Sequence, residues 1–186
     1  MSRYDFTSVR LHVEADLGPG ARLSLDRGRT NYLANVLRMG PGDPLLVFNG
    51  RDGEWRASVV EAGRKALALA VGERTRPQEP LPDLHYLFAP LKQARLDYMV
   101  QKAVEMGAGR LRPVLTRHTQ VRKLNVDRAA ANVREACEQC GVIAIPPVDE
   151  PADLGAVLDA WQAERILVVA DEAESARPRP ALEALA

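Results

Sequence analysis

Residues 84–123 read LHYLFAPLKQARLDYMVQKAVEMGAGRLRPVLTRHTQVRK, and three successive patterns within them decide the fold. Residues 84–89 are an apolar run of strand length between Pro82-Asp83 and Pro90, as expected of a buried strand. Over 95–106, Leu96, Met99, Val100, Ala103 and Val104 recur at the 3.6-residue period of a helix with one face inward. Gly107 and Gly109 follow as a stop signal, since helix ends favour residues that tolerate positive φ. Residues 111–116 return as a second strand. Strand, crossover helix and strand make a βαβ unit, whose two strands are parallel. Arg110, Arg112, Arg117, Arg122 and Lys123, with His118 among them and no acid between, then gather at and beyond the second strand. Open α/β sheets bind ligands at that end.

Charge is unevenly spread along a chain of 186 residues with formal net charge zero. Residues 1–76 carry +3 and residues 84–142 carry +5, whereas 143–186 carry −6. A basic body precedes an acidic section. No apolar run reaches the roughly 18 residues of a membrane span and no signal peptide opens the chain. A cytoplasmic protein without a membrane partner is the expectation.

Upstream, residues 8–14 and 21–25 alternate as half-buried strands do. A short helix is expected over 31–39, and three more strands over 45–48, 55–60 and 66–71, with turns at Asn49-Gly50, Asp52-Gly53 and 62–64. Short strands at this density predict a small β-barrel over 1–73. The proline-punctuated 74–83 reads as a linker to an α/β domain over 84–186. Further on, helices are expected over 128–140 and 154–161, and a third buried strand over 165–170.

Several signatures are absent. No G-x-G-x-x-G or G-x-x-x-x-G-K-[ST] occurs, so neither nucleotide-binding loop has support. Cys137 and Cys140 match C-x-x-C, but zinc needs four ligands and no second pair exists, so no metal is expected and both read as packing residues. The cation-rich loop has two readings, a solvated surface or a seat for RNA phosphates. The barrel adds Arg10, Arg22, Arg27, Arg29 and Arg38. Residue patterns alone reach a basic two-part protein suited to nucleic acid.

Longer motifs carry a resemblance. Asn35-Val-Leu-Arg-Met-Gly-Pro-Gly42, Phe48-Asn-Gly50, Leu91-Lys92, Gln101-Lys102-Ala-Val-Glu105-Met-Gly107, Pro113, Arg117 and Glu135-Ala-Cys-Glu138-Gln139-Cys-Gly141 together resemble the ribosomal RNA small subunit methyltransferase E family. The resemblance runs from about residue 10 to about 170. It implies a PUA-like β-barrel joined to a mostly parallel α/β domain of the SPOUT class. It further implies S-adenosylmethionine-dependent methylation of a uridine N3 in 16S rRNA of the small ribosomal subunit, by a homodimer. Arg117 is expected to face the reacting base, with Arg10, Arg22, Arg38, Arg112, Arg122 and Lys123 on the RNA. Glu138, Asp171 and Glu172 are candidates for the cofactor.

Two departures stand out. Val142 occupies a position where many members have arginine, and nothing after Ala170 resembles the family's glycine-rich knot segment. The expectation is therefore a truncated chain that does not methylate by itself. A non-catalytic RNA-binding module is the alternative, and a metabolic enzyme acting on a small anion a third reading.

Overall fold

The structure, a computed structural model, describes residues 7–62 and 66–170. The chain divides into two compact units, Met1–Leu154 and Gly155–Ala186. The first holds two sheets. One contains β1 (Arg10–His12), β2 (Arg22–Ser24), β3 (Pro44–Phe48), β4 (Glu54–Ala62) and β5 (Leu67–Arg76) in the order β1-β3-β4-β5-β2. β3, β4 and β5 form an antiparallel meander, while β1 pairs with β3 in parallel. Register shifts along β4, between Glu54 and Trp55, Trp55 and Ala57, and Val59 and Glu61, bend the sheet into a curl, because each extra residue tightens local twist. Leu33, Leu45, Val47, Val59, Leu67 and Leu69 fill its concave side. β5 continues to Arg76, so residues 74–76 of the expected linker belong to the sheet.

The helix expected over 31–39 starts earlier. Asp26 caps α1 (Arg27–Asn31) by accepting from the Arg29 amide at 2.9 Å. The chain then widens into a π-helical turn, Tyr32–Val36, and ends with Arg38 at φ +57.

The second sheet is the expected parallel unit. β6 (His85–Phe88) pairs with β7 (Arg110–Leu115), Tyr86 opposite Leu111, with α2 (Gln93–Glu105) crossing between them. α3 (Val126–Cys140) is capped by Asn125 and closes on Gly141 at φ +69. It packs on α2 through a core of Val100, Val104, Leu111, Val133 and Cys137. β8 (Ala152–Asp153) adds to the far side of β7, followed by α4 (Leu154–Asp159).

Both sheets lie within one compact unit, and polar contacts among the described residues tie them. The His12 amide donates to Glu138 Oε1 at 2.8 Å, an Arg76 NH2 group to the Gly141 carbonyl at 2.8 Å, and Gln78 to the Ile143 carbonyl at 3.5 Å. Phe48, a β3 residue, is counted in the core of the α/β half.

The third strand expected over 165–170 does not form. Ile166 is 89% exposed and Val169 72%, and none of these residues joins a described sheet. Strand propensity is a preference for a pleated surface with neighbours, and no described sheet edge accepts this run.

Candidate nucleic-acid interface

β6 and β7 are parallel, so both end on the same side, and their trailing loops meet there. Ala89, Pro90, Leu91 and Lys92 from the first loop, with Arg95 from the first turn of α2, face Thr116, His118, Thr119, Gln120 and Val121 from the second across a cavity of about 500 Å3. Pro90 is buried and ends the strand, since it has no amide for a ladder bond. Lys92 is the N-cap of α2 and makes no side-chain cap bond, while its carbonyl accepts from the Arg95 amide at 3.0 Å. The second loop is held by a hydroxyl turn. Thr119 Oγ1 accepts from the Thr116 amide at 2.7 Å and lies 3.1 Å from Thr116 Oγ1. That turn sends Arg117 outward and leaves His118 on the wall.

No acidic side chain lines this cavity. Lys92, Arg95, Arg117, Arg122 and Lys123 are all exposed, and none makes an ion pair among the described residues. Exposed cations without partners on one loop system make a positive surface suited to a polyanion.

The structure splits the sequence-level cluster. Arg110 and Arg112 project from β7 itself and both meet Asp149, at 2.9 Å and 3.3 Å. Asp149 is brought there by backbone pairing, its amide donating to the Leu111 carbonyl at 2.9 Å. Arg112 is therefore neutralised by an acid absent from its own stretch, and only Arg117, Arg122 and Lys123 of the expected set remain unpaired on the loop.

Arg10 is also corrected. Its side chain is 3% exposed and its Nε bonds Glu54 Oε2 at 2.9 Å. All three residues of β1 are buried, and Arg10 is held there in an ion pair with Glu54 of β4. Arg22 and Arg38 are exposed, Arg22 on β2 at an edge of the strand order and Arg38 after the π turn.

Glu138 does not stand at the sheet opening. It accepts from the His12 amide and lines a separate cleft between α3 and the curled sheet, where burial pushes its carboxyl above the ordinary value. Asp171 and Glu172 lie outside the described residues. Cys137 and Cys140 are free thiols. Burial pushes the Cys137 thiol up to about 12, so it packs rather than reacts. No cluster of three or more metal-ligating side chains occurs among the described residues, and no described helix is long and apolar enough to cross a membrane.

Sequence reading quoted Lys92 only as part of a family motif and gave no site role to it, to Arg95 or to Asp149. The first two were findable, because they follow a strand and open a crossover helix, which places them at the ligand-binding end of any βαβ unit. Asp149 was not, because its approach depends on chain returning after α3.

Comparison with known proteins supplies the family. Residues 77–186 match the RNA methyltransferase domain and residues 25–71 the RNA methyltransferase PUA domain. Ribosomal RNA small subunit methyltransferase E of Rickettsia conorii is 29% identical over 144 residues, 77% of this chain and 59% of that protein. The Synechocystis protein of the same name is 28% identical over 150 residues, 80% of this chain and 49% of that one. The chain thus spans about half to three fifths of these relatives. A Legionella pneumophila protein described as a methyltransferase, in complex with the cofactor S-adenosylmethionine, superposes with a TM-score of 0.76 at 25% identity, covering 86% of this chain and 69% of that one. Ribosomal RNA small subunit methyltransferase E from Neisseria gonorrhoeae, bound to S-adenosylmethionine, gives 0.75 at 24% identity over 84% and 67%. The curled sheet and the parallel sheet are thereby a PUA-like and a SPOUT-type module, and the chain belongs to the RNA methyltransferase family.

Proposed function

We propose that this chain serves S-adenosylmethionine-dependent methylation of a uridine N3 in 16S rRNA of the small ribosomal subunit, acting in the cytoplasm as a homodimer. The observation that carries the reading is the unpaired basic loop system, with its cavity, at the C-terminal ends of β6 and β7. Uridine N3–H is a weak acid and a poor nucleophile, so methyl transfer requires its proton to leave and the resulting anion to be stabilised. A guanidinium near the base lowers the energy of that anion most effectively where water is excluded. Arg117 is our candidate for this role, and Arg122 and Lys123 for the flanking phosphates, with Arg22 and Arg38 holding more distant RNA. The target base must be unstacked, because N3 lies on its pairing edge.

S-adenosylmethionine supplies the methyl group in this reading. Glu138 is not assigned as its ligand, because it lines the cleft between α3 and the curled sheet and not the cavity beyond β6 and β7. No described residue is therefore assigned to the cofactor, and no step is built on it.

The test incubates small ribosomal subunits lacking the modification with protein and labelled S-adenosylmethionine, then measures N3-methyluridine by nucleoside mass spectrometry. Arg117→Ala should lower the yield on the order of 10²-fold or more without unfolding the protein. Equal yields from variant and wild type would refute the role given to Arg117.

A second reading, an RNA-holding module without catalysis, is favoured by one observation. Glu138, one of the three expected cofactor carboxylates, is held between the two sheets by the His12 amide, away from the basic loops and their cavity. Equilibrium dialysis separates the two, since a module binds RNA and takes up no S-adenosylmethionine.

A further inference from the structure

We propose that the cleft between the curled sheet and α3 is a second RNA site, which takes one unpaired nucleotide with its base against Tyr32 and its phosphate between Arg29 and Arg134. This deepens the RNA reading above and rests on it. The cleft encloses about 580 Å3, room for a nucleotide. One wall is β1 with α1 and the π turn, contributing His12, Arg29, Tyr32 and Leu37; the other is α3, contributing Arg134 and Glu138.

The two guanidiniums converge on this space from different elements. Arg29 and Arg134 both act electrostatically on His12 and on Glu138. Arg134 has no ion pair among the described residues, and Arg29 meets only the exposed Asp26, at 3.1 Å. Tyr32 is 43% exposed and Leu37 36%, on a widened turn that ends in a non-glycine residue of positive φ. π turns occur frequently at functional sites.

His12 adds an independent sign. It is 7% exposed, and its Nδ1 has no hydrogen-bond partner, in a structure where buried polar atoms are ordinarily satisfied. Burial and the neighbouring arginines hold its pKa at about 4, so the ring is neutral at pH 7 and adds no third cation.

The mixture of charges selects the ligand class. Glu135 and Glu138 share the lining with the two arginines, which disfavours a bare inorganic anion. A nucleotide presents both an anion for the guanidiniums and N–H groups for a carboxylate. Base-on-aromatic stacking is sequence-tolerant and independent of pairing, hence an unpaired nucleotide.

The test uses the 186-residue chain and a single-stranded RNA dodecamer carrying 4-thiouridine, with binding read by fluorescence anisotropy and crosslinks mapped by mass spectrometry. Crosslinks on unmodified protein at residues 29–37 and 131–139 are expected. Tyr32→Ala and Arg134→Ala should each weaken binding about tenfold, and Tyr32→Phe should retain it. RNA bound at wild-type strength by both alanine variants, without crosslinks in the cleft, overturns this site while leaving the basic-loop reading intact. No RNA binding by the wild type overturns both. Free nucleoside 5′-monophosphates binding the cleft as tightly as the dodecamer would replace the RNA strand by a soluble nucleotide as occupant and overturn the proposal as stated.

Discussion

Glu54 decides more of the structure than any residue singled out for function. It is 2% exposed and accepts from Arg10 Nε at 2.9 Å, an Arg76 NH2 group at 2.9 Å and Thr75 Oγ1 at 2.8 Å. Burial alone would push its carboxyl up, but bonds from Arg76, Thr75 and Arg10 outweigh that and hold it below the ordinary value. Arg76 also reaches the Gly141 carbonyl, so one carboxylate organises both the curled sheet and its contact with α3. Glu54→Ala would remove the carboxylate that two arginines share, and breaking a buried pair of this kind costs about 3–5 kcal/mol. Urea denaturation should show that loss; a change under about 1 kcal/mol would refute the account. His12 gives a pH signature. Its folded pKa, about 4, lies below the ordinary imidazole value of 6.5, so the unfolded chain binds the extra proton between those values. The stability it contributes is complete above 6.5 and is lost as pH falls towards 4. Glu138 runs the other way, because its raised pKa favours the folded state at low pH. Thermal melts from pH 7 to 4.5 should fall less steeply for His12→Gln than for wild type.

Among the elements, turns and caps were more legible than partners. The β3–β4 turn at Asn49-Gly50 and Asp52-Gly53 stands where its residue types placed it, with Asn49 and Asp52 joined at 2.6 Å. Gly53 has φ +86, and an added Cβ would lie 2.3 Å from the Arg76 carbonyl oxygen. Gly20 has φ +77 and nothing within 4 Å. Gly20→Ala should cost about 1–2 kcal/mol from backbone strain alone, and Gly53→Ala at least twice that, because main chain must also move. Calorimetric melting temperatures rank the two, and equal losses would contradict the close approach. Helices α2 and α3 follow from their periodicity, but their clasp does not. Asp97 of α2 accepts from Arg128 at 2.8 Å and Asn132 at 2.6 Å on α3, a meeting of positions more than thirty residues apart. The run at 165–170 shows the opposite failure. Its apolar pattern is a strand's, yet it is exposed, since a strand exists only beside another.

For the molecule as a whole, the question is which cations count. Each phosphate contact contributes a slope of roughly −0.7 in log affinity against log salt for single strands. Removing Arg122 or Lys123 should therefore flatten the salt dependence of RNA binding by about that much each. Arg112→Ala should leave the slope nearly unchanged, because Asp149 already neutralises it; titrations between 50 and 200 mM salt distinguish these, and a full unit lost at Arg112 would contradict the pairing. The sequence by itself determined the parallel β6–α2–β7 unit, the curled sheet ahead of it and the basic loop beyond it. Those features rest on periodicity, turn chemistry and local charge, which residues carry with them wherever the chain goes. Only the tertiary structure decided that Arg10 turns inward to Glu54, that Asp149 silences two arginines of the cluster, and that β1 and α3 leave a cleft between them. Each depends on groups far apart in the chain, and an ion pair or a cavity exists only once folding has set both sides at contact distance.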